Sequence, residues 1–203
     1  MHDTAHELGG LFYETYVQPG SCILECGSMN VNGTLRDFRP AGSCYVGVDL
    51  AAGNGVDVVI GPDSRLPFKT EAFDAVTSSS AFEHDSMFWV TFLELCRVLK
   101  SGGFLYLNVP SRGGYHRYPI DAWRFFPDSG IALRDWARIN QHHIELLESF
   151  ITQNRGVDWN DCVMIFAKNG RPPAVGVADR YGLAFNIRRW PDLETISRRD
   201  DRW

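Results

Sequence analysis

Two acids, a glycine and two histidines carry the chemistry that this chain could perform. Glu25 closes a short apolar run, Cys22 to Leu24, and Gly27 follows two positions later. Asp49 closes a second apolar run, Cys44 to Val48, 22 residues past Gly27. A strand ending in an acid, a glycine that lets the backbone approach a ligand, and a helix start with free N–H donors together suit a bound nucleoside. A carboxylate about 20 residues beyond such a turn can take both hydroxyls of a ribose, one on each oxygen. The plainer role for Asp49 is to open the turn Ala51-Ala52-Gly53. An acid just before Gly27 would repel a pyrophosphate and suits a cationic ammonium. His84 and His116 are the candidate general bases, because an imidazole titrates at about 6.5 and can take a proton from a hydroxyl near neutral pH. The alternatives are a helix-start histidine bonded to Glu83 or Asp85, and a loop histidine stacked on Tyr115 or Tyr118.

These residues need an alternating α/β framework to bring them together. Leu8, Leu11, Phe12 and Tyr16 recur at helical spacing over 4–17, and Pro19-Gly20 ends that helix. Strands are expected at 21–26, 44–49, 56–60, 73–80 and 104–109. Val31, Leu35 and Phe38 begin a helical spacing after the first strand. A longer helix runs from Ala81 to Lys100, with Phe82, Trp89, Phe92, Leu93, Cys96 and Leu99 on one stripe. Strands alternating with helices imply a parallel sheet covered on both faces, with ligands at the carboxyl ends of the strands. Both histidines fall at that edge. Residues 110–128 form a long aromatic and polar loop, a length usually kept for function. Ile131, Leu133, Trp136 and Ile139 mark another helix, and 144–151 and 161–168 a closing pair of strands. The division expected is a domain over 1–168, with its first helix over the cofactor crevice, and an arginine-rich arm over 169–203. That arm either docks on the domain, docks on a partner such as a second copy, or hangs loose.

Length and composition narrow the class. The chain has 203 residues, 44% of them hydrophobic and 22% charged, enough for one domain with a sizeable core. The net charge of −5 argues against nonspecific nucleic-acid binding. No apolar run reaches the roughly 18 residues of a membrane span, and the first residues lack the basic and apolar parts of a signal peptide. Cys22, Cys26, Cys44, Cys96 and Cys162 fit no metal-binding spacing; they read as buried free thiols, and hence as a sign of a reducing cytoplasm.

Four pieces in order resemble the class I S-adenosylmethionine-dependent methyltransferases, over residues 21 to about 168. Ile23-Leu-Glu-Cys-Gly27 is similar to the first motif of that family and Tyr45-Val-Gly-Val-Asp49 to its second. Phe73-Asp-Ala-Val-Thr-Ser-Ser-Ser-Ala-Phe-Glu-His84 is similar to the fourth, and Arg97-Val-Leu-Lys-Ser-Gly-Gly-Phe-Leu105 to the helix end, turn and strand that follow it. The fold implied is Rossmann-like and doubly wound, a seven-stranded sheet in the order 3-2-1-4-5-7-6 with the last strand antiparallel. The resemblance implies S-adenosylmethionine as cofactor, held by Glu25, Gly27, Ser28, Asn30, Asp49, Leu50, Asp63, Ser64 and Ser80. The family's Gly-x-Gly-x-Gly loop keeps only Gly27 here, and Asp63 stands one position late for an adenine contact.

The stretch His116-Arg-Tyr-Pro-Ile-Asp-Ala-Trp-Arg-Phe-Phe126 is similar to a segment of small bacterial methyltransferases that act on sugars and other small hydroxylated molecules. The reaction implied is in-line transfer of a methyl group from a sulfonium to a small acceptor, with a hydroxyl oxygen the expected atom. Tyr115, Tyr118, Asp121 and Arg124 are then acceptor-binding candidates, although Asp121 and Arg124 could equally pair with each other. A divalent ion gathered by His84, Asp85, His116 and Asp121 is a lesser variant with no spacing motif behind it, so no metal ligand is assigned. The competing reading is a methyltransferase-fold interaction module without activity. An NAD-dependent oxidoreductase is disfavoured, because the loop lacks Gly-x-Gly-x-x-Gly.

Overall fold

Runs of β-branched, aromatic and small residues make the centre of the fold. In the computed structural model, Cys22–Cys26 (β1), Cys44–Asp49 (β2), the two-residue Val58–Val59 (β3), Phe73–Ser79 (β4) and Leu99–Arg112 (β5) lie parallel. The structure describes residues 3–61, 65–153 and 159–196. Glu145–Thr152 (β6), Asn160–Ala167 (β7) and Ala184–Arg189 (β8) complete one sheet of order β3-β2-β1-β4-β5-β7-β6-β8. β7 runs antiparallel to β5 and β6, and β8 antiparallel to β6. The expected order therefore holds, with one strand more than the seven foreseen. That eighth strand comes from the C-terminal arm.

Side chains alternate across the sheet, so the two faces have separate cores. Leu24, Val76, Leu105 and Leu107 face α2 (Phe88–Val98) and α3 (Pro127–Ile139), where Phe92, Leu95, Leu133 and Ala137 are buried. Ile23, Ala75, Tyr106 and Ile165 face α1 (Asp3–Tyr16) and α4 (Val177–Tyr181), with Leu8, Phe12, Tyr13 and Val177.

Three local expectations are corrected. The helical spacing from Val31 yields only a 3-10 turn, Leu35–Phe38, and Val31 is exposed. α1 covers that sheet face in its place. Its paired glycines permit the close fit, since a Cβ on Gly9 would stand 2.2 Å from Leu35 and one on Gly10 2.9 Å from Phe38. The helix expected from Ala81 starts only at Phe88, because Phe82–His84 forms a 3-10 turn and the Asp85 carboxylate then accepts the Met87 N–H at 2.8 Å. The Ser101-Gly102-Gly103 stop lies inside β5, as an irregularity between the pairs Phe73–Leu99 and Ala75–Phe104.

The cysteine reading is also corrected. Cys22 and Cys44 are register partners at the amino ends of β1 and β2, with Cα atoms 4.7 Å apart, and they form a disulfide. Cys26, Cys96 and Cys162 are free and buried. A reducing compartment therefore no longer follows from the cysteines.

Besides the β6–β8 pairing, the arm is anchored to the rest of the chain by one buried acid. Glu148 on β6 accepts hydrogen bonds from the Val177 and Ala178 amides at 2.8 and 3.1 Å, and from the Tyr16 hydroxyl at 3.0 Å. A Cβ on Gly176 would come within 2.7 Å of both Glu148 oxygens, so glycine is what lets α4 approach. Among the described residues no helix is long and apolar enough to cross a membrane.

Candidate functional site

The carboxyl ends of β1, β2 and β4 meet around Gly27. Its φ of +81° lies in the left-handed region, and a Cβ there would stand 2.5 Å from that of Ala81. The Gly27 and Ser28 amides both donate to the Val48 carbonyl, at 2.9 and 3.1 Å, which folds the loop back over β2. Asn30 continues the fold: its amide donates to the Asn54 carbonyl at 2.8 Å and its Oδ1 accepts the Gly33 amide at 2.9 Å. The glycines missing from the loop are supplied opposite it. A Cβ on Gly47 would fall 2.6 Å from the Ser28 Oγ, one on Gly55 2.7 Å from the Ser28 carbonyl, and one on Gly53 3.1 Å from Met29. Close backbone approach is thus preserved by moving glycine from one side of the contact to the other.

Asp49 stands at the end of β2 with both oxygens turned to the loop. Oδ2 accepts the Met29 amide at 3.0 Å and Oδ1 the Leu50 amide at 2.7 Å. Each carboxylate oxygen keeps further acceptor capacity for a hydroxyl. Leu50 beside it is 56% exposed and walls the opening. Ser80 lies across from Gly27 at the end of β4, at φ +52°, and donates its amide to Asn108 at 2.9 Å. Among the described residues, the buried Ser28 and Ser79 Oγ atoms at this end of the sheet have no hydrogen-bond partner. Asp63 and Ser64 lie outside the described residues.

Glu25 is placed differently from the expectation of an acid open to the crevice. Alternation along β1 sends it to the α1 face with Ile23, where it is 2% exposed. Oε2 accepts the Tyr45 hydroxyl at 2.8 Å, that hydroxyl accepts from Tyr13 at 3.5 Å, and the Leu35 amide also donates to the carboxylate. Burial pushes the Glu25 carboxyl up from 4.5 to about 7, against the opposing pull of Tyr45 and the Leu35 amide. A group that holds its proton longer when folded favours folding at low pH. The unfolded chain releases this proton near pH 4.5 and the folded chain near 7, so stability falls as pH rises through that window, by up to roughly 3 kcal/mol. Asp161, raised by burial to about 7, contributes in the same direction. Urea unfolding at pH 5 and pH 8 measures the slope, and Glu25→Gln is expected to flatten it.

The structure brings the two histidines together, with ring centroids 4.9 Å apart, edge to face. His84 Nδ1 lies against the Ile120 carbonyl, which can only accept; Nδ1 therefore carries the hydrogen and Nε2 is free. Desolvation lowers the His84 pKa. His116 is half-exposed, with Nδ1 3.3 Å from Asp121 Oδ2, its amide donating to the same oxygen at 2.8 Å, and its ring against Trp159 at 5.1 Å. Asp121 and Arg124 pair with each other: Nη1–Oδ1 is 2.5 Å and Nη2–Oδ2 2.9 Å, and Arg124 also donates to Gly114 at 3.1 Å. The guanidinium holds the Asp121 carboxyl well below the usual range. That pair braces the loop, the second of the two roles open to it. Tyr118 spans to the glycine loop, its hydroxyl 3.5 Å from Met29 Sδ, whereas Tyr115 is 75% exposed.

One residue assigned no role from the sequence stands out. Glu83 is completely buried, and among the described residues neither carboxylate oxygen has a hydrogen-bond partner from another residue. Oε1 lies 3.7 Å from His84 Nε2. The only sequence signal was its place in the Glu-His pair closing the fourth motif.

Comparison with known proteins agrees with this architecture. A family model described as a methyltransferase domain matches residues 26–107. The chain is similar to the fatty-acid O-methyltransferase of Mycolicibacterium smegmatis, 29% identical over 167 residues. That match takes in 70% of this chain and 58% of the relative, so the chain spans less than two thirds of that curated protein's length. Among solved structures it resembles the 1,6-didemethyltoxoflavin-N1-methyltransferase of Burkholderia thailandensis, crystallised with 1,6-didemethyltoxoflavin and S-adenosylhomocysteine. The TM-score is 0.62 at 16% identity, over 82% of this chain and 79% of that one. The 4+2 cyclase SpnF is similar at a TM-score of 0.59 and 16% identity, over 82% of each chain. At such identities the likeness is one of fold. The strand order and these structures agree on the fold, and the family model and the curated relative make the chain similar to the class I S-adenosylmethionine-dependent methyltransferases.

Proposed function

We propose that this protein transfers a methyl group from S-adenosylmethionine to an oxygen of a small hydroxylated acceptor. The observation that carries the reading is the grouping at one end of the sheet of Gly27, Asp49 and Ser80 with the His84–His116 pair, which Tyr118 links to Met29 of the glycine loop. The residues suit the cofactor: Gly27 lets the loop turn tightly against Ala81, and the buried Ser28 and Ser79 hydroxyls, without partners among the described residues, lie at the same end of the sheet. Asp49 takes the ribose hydroxyls while it keeps the loop folded through Met29. Glu25 acts from beneath, through the Leu35 amide and Tyr45, to hold the floor of the pocket. Ser28, Asn30, Leu50 and Ser80 shape its sides.

When bound, the cofactor supplies an electrophilic methyl whose C–S bond breaks as the C–O bond forms, its electron pair returning to sulfur. The chain's own work is alignment, which in favourable cases lowers a barrier by roughly 7–11 kcal/mol. The acceptor oxygen loses its proton at His84 and His116. Tyr118, which spans from the glycine loop to the histidines, covers the acceptor. The M. smegmatis relative is named for methylating a fatty-acid oxygen, which supports oxygen as the acceptor atom. The alternative of a catalytically silent module draws on the single-glycine loop, but the glycines at 47, 53 and 55 restore the close approach that loop needs.

Calorimetric titration with S-adenosylhomocysteine, followed by methyl-transfer assays on sugars, phenols and fatty acids, tests the reading. Binding at micromolar ligand and transfer to a hydroxylated acceptor are expected. No binding at millimolar ligand would overturn it.

A further inference from the structure

Glu83, His84 and His116 present one carboxylate oxygen and two imidazole nitrogens, all within 4.8 Å of one another. We propose that these three side chains bind a divalent transition-metal ion of the zinc(II) or cobalt(II) class at the acceptor end of the site. The proposal rests on the acceptor pocket described above and deepens it.

Three observations point the same way. First, a fully buried carboxylate that no other described residue hydrogen-bonds is expensive to maintain, and a bound cation removes that cost. Second, both histidines are held by their Nδ1 atoms, His84 by the Ile120 carbonyl and His116 beside the Asp121 carboxylate. That leaves the Nε2 atoms for a ligand. Outer partners of this kind fix tautomer and ring direction for metal-ligating histidines. Third, among the described residues Glu83 has no close partner: its contact with His84 is an ion pair only if the imidazole is protonated. Glu83 is not paired with Arg124, whose guanidinium is occupied by Asp121, and the Glu83–His84 separation of 3.7 Å is too long for a hydrogen bond.

Two nitrogens and one oxygen favour a borderline ion over magnesium or calcium, which prefer oxygen alone. Tetrahedral donors at roughly 2.1 Å from zinc lie about 3.4 Å apart, so the three side chains must close by little more than 1 Å. Three protein ligands leave a fourth position open, the pattern of catalytic rather than structural sites. An acceptor hydroxyl in that position would have its pKa lowered, lose its proton to solvent water, and attack as an alkoxide while the methyl's C–S pair returns to sulfur. With the ion bound, His84 and His116 are its ligands and solvent takes the proton; in the ion-free protein they keep the role of base given above. Asp85 and Asp121, which the sequence offered as co-ligands, are committed elsewhere, to the Met87 amide and to Arg124.

The test uses the full chain, without a polyhistidine tag and stripped with a chelator. Zinc(II) is titrated by calorimetry, and cobalt(II) is followed by its visible absorption. Roughly one equivalent bound at micromolar or lower Kd is expected, weakened at least about 100-fold in Glu83→Gln and in His116→Ala. S-adenosylhomocysteine affinity is measured on the same samples and is expected to stay within about threefold of wild type, since neither residue holds the cofactor. Because His116 lies on a half-exposed loop, His116→Ala remains informative if the buried Glu83→Gln variant fails to fold. No binding of either ion at about 100 μM, or variants that bind as wild type does, would overturn the proposal. Failure of cofactor binding alone would instead overturn the methyltransferase reading, so the two failures are distinguishable.

Discussion

Asp49→Ala is expected to lower affinity for S-adenosylhomocysteine about 100-fold, close to 3 kcal/mol, with the fold retained. Two losses combine. The ribose loses a charged acceptor whose hydrogen bonds are worth about 1.5–3 kcal/mol each. The Met29 and Leu50 amides lose theirs as well, at 3.0 and 2.7 Å, so the glycine loop frays over the pocket. Asp49→Asn separates the two contributions: its carbonyl can still accept one amide, and a drop of about tenfold is expected. Calorimetry on both variants checks this. Wild-type affinity in Asp49→Ala would mean that the nucleoside lies elsewhere.

Glu148→Ala should produce the largest loss of stability, about 4 kcal/mol by urea unfolding. The Tyr16 hydroxyl and the Val177 and Ala178 amides are buried donors, and each left unsatisfied costs about 1–3 kcal/mol. Part of that is recovered by water entering the space vacated. Glu148→Gln fills the same volume and keeps one acceptor, and should lose about half as much. Cofactor affinity in the folded fraction should hardly change, because Glu148 serves α1, α4 and β6 and is remote from Gly27 and Asp49. A drop under 1 kcal/mol for Glu148→Ala, roughly the worth of a single surface contact, would show that the β6–β8 pairing and the apolar contacts hold the arm without this acid.

The parallel half of the sheet was legible because its signals are local. Apolar runs ending in Glu25 and Asp49, and the stripe through Phe92 and Cys96, need no knowledge of distant residues. What was missed depends on partners far apart in the chain. The spacing from Val31 could not reveal that α1 already fills that face, since the deciding fit is Gly9 and Gly10 against Leu35 and Phe38. β8 buries Ala184 and Ile187 three positions apart, with two arginines after them, too irregular an alternation to read as a strand until β6 is there to pair with it. The direction of Glu25 is set by which face α1 covers, which its place before Gly27 does not encode. Glu83 went without a role because the residue that completes its cluster, His116, arrives 33 positions later on a loop whose path the Asp121–Arg124 pair dictates.

The bridge between Cys22 and Cys44 ties the feet of two strands whose far ends carry the proposed cofactor contacts, about 15 Å away along the sheet. Durability and turnover are therefore governed from opposite poles of the molecule. Thiol reagents would shorten the lifetime of the folded chain, by releasing a loop whose closure is worth about 3 kcal/mol, yet leave each surviving copy working at an undiminished pace.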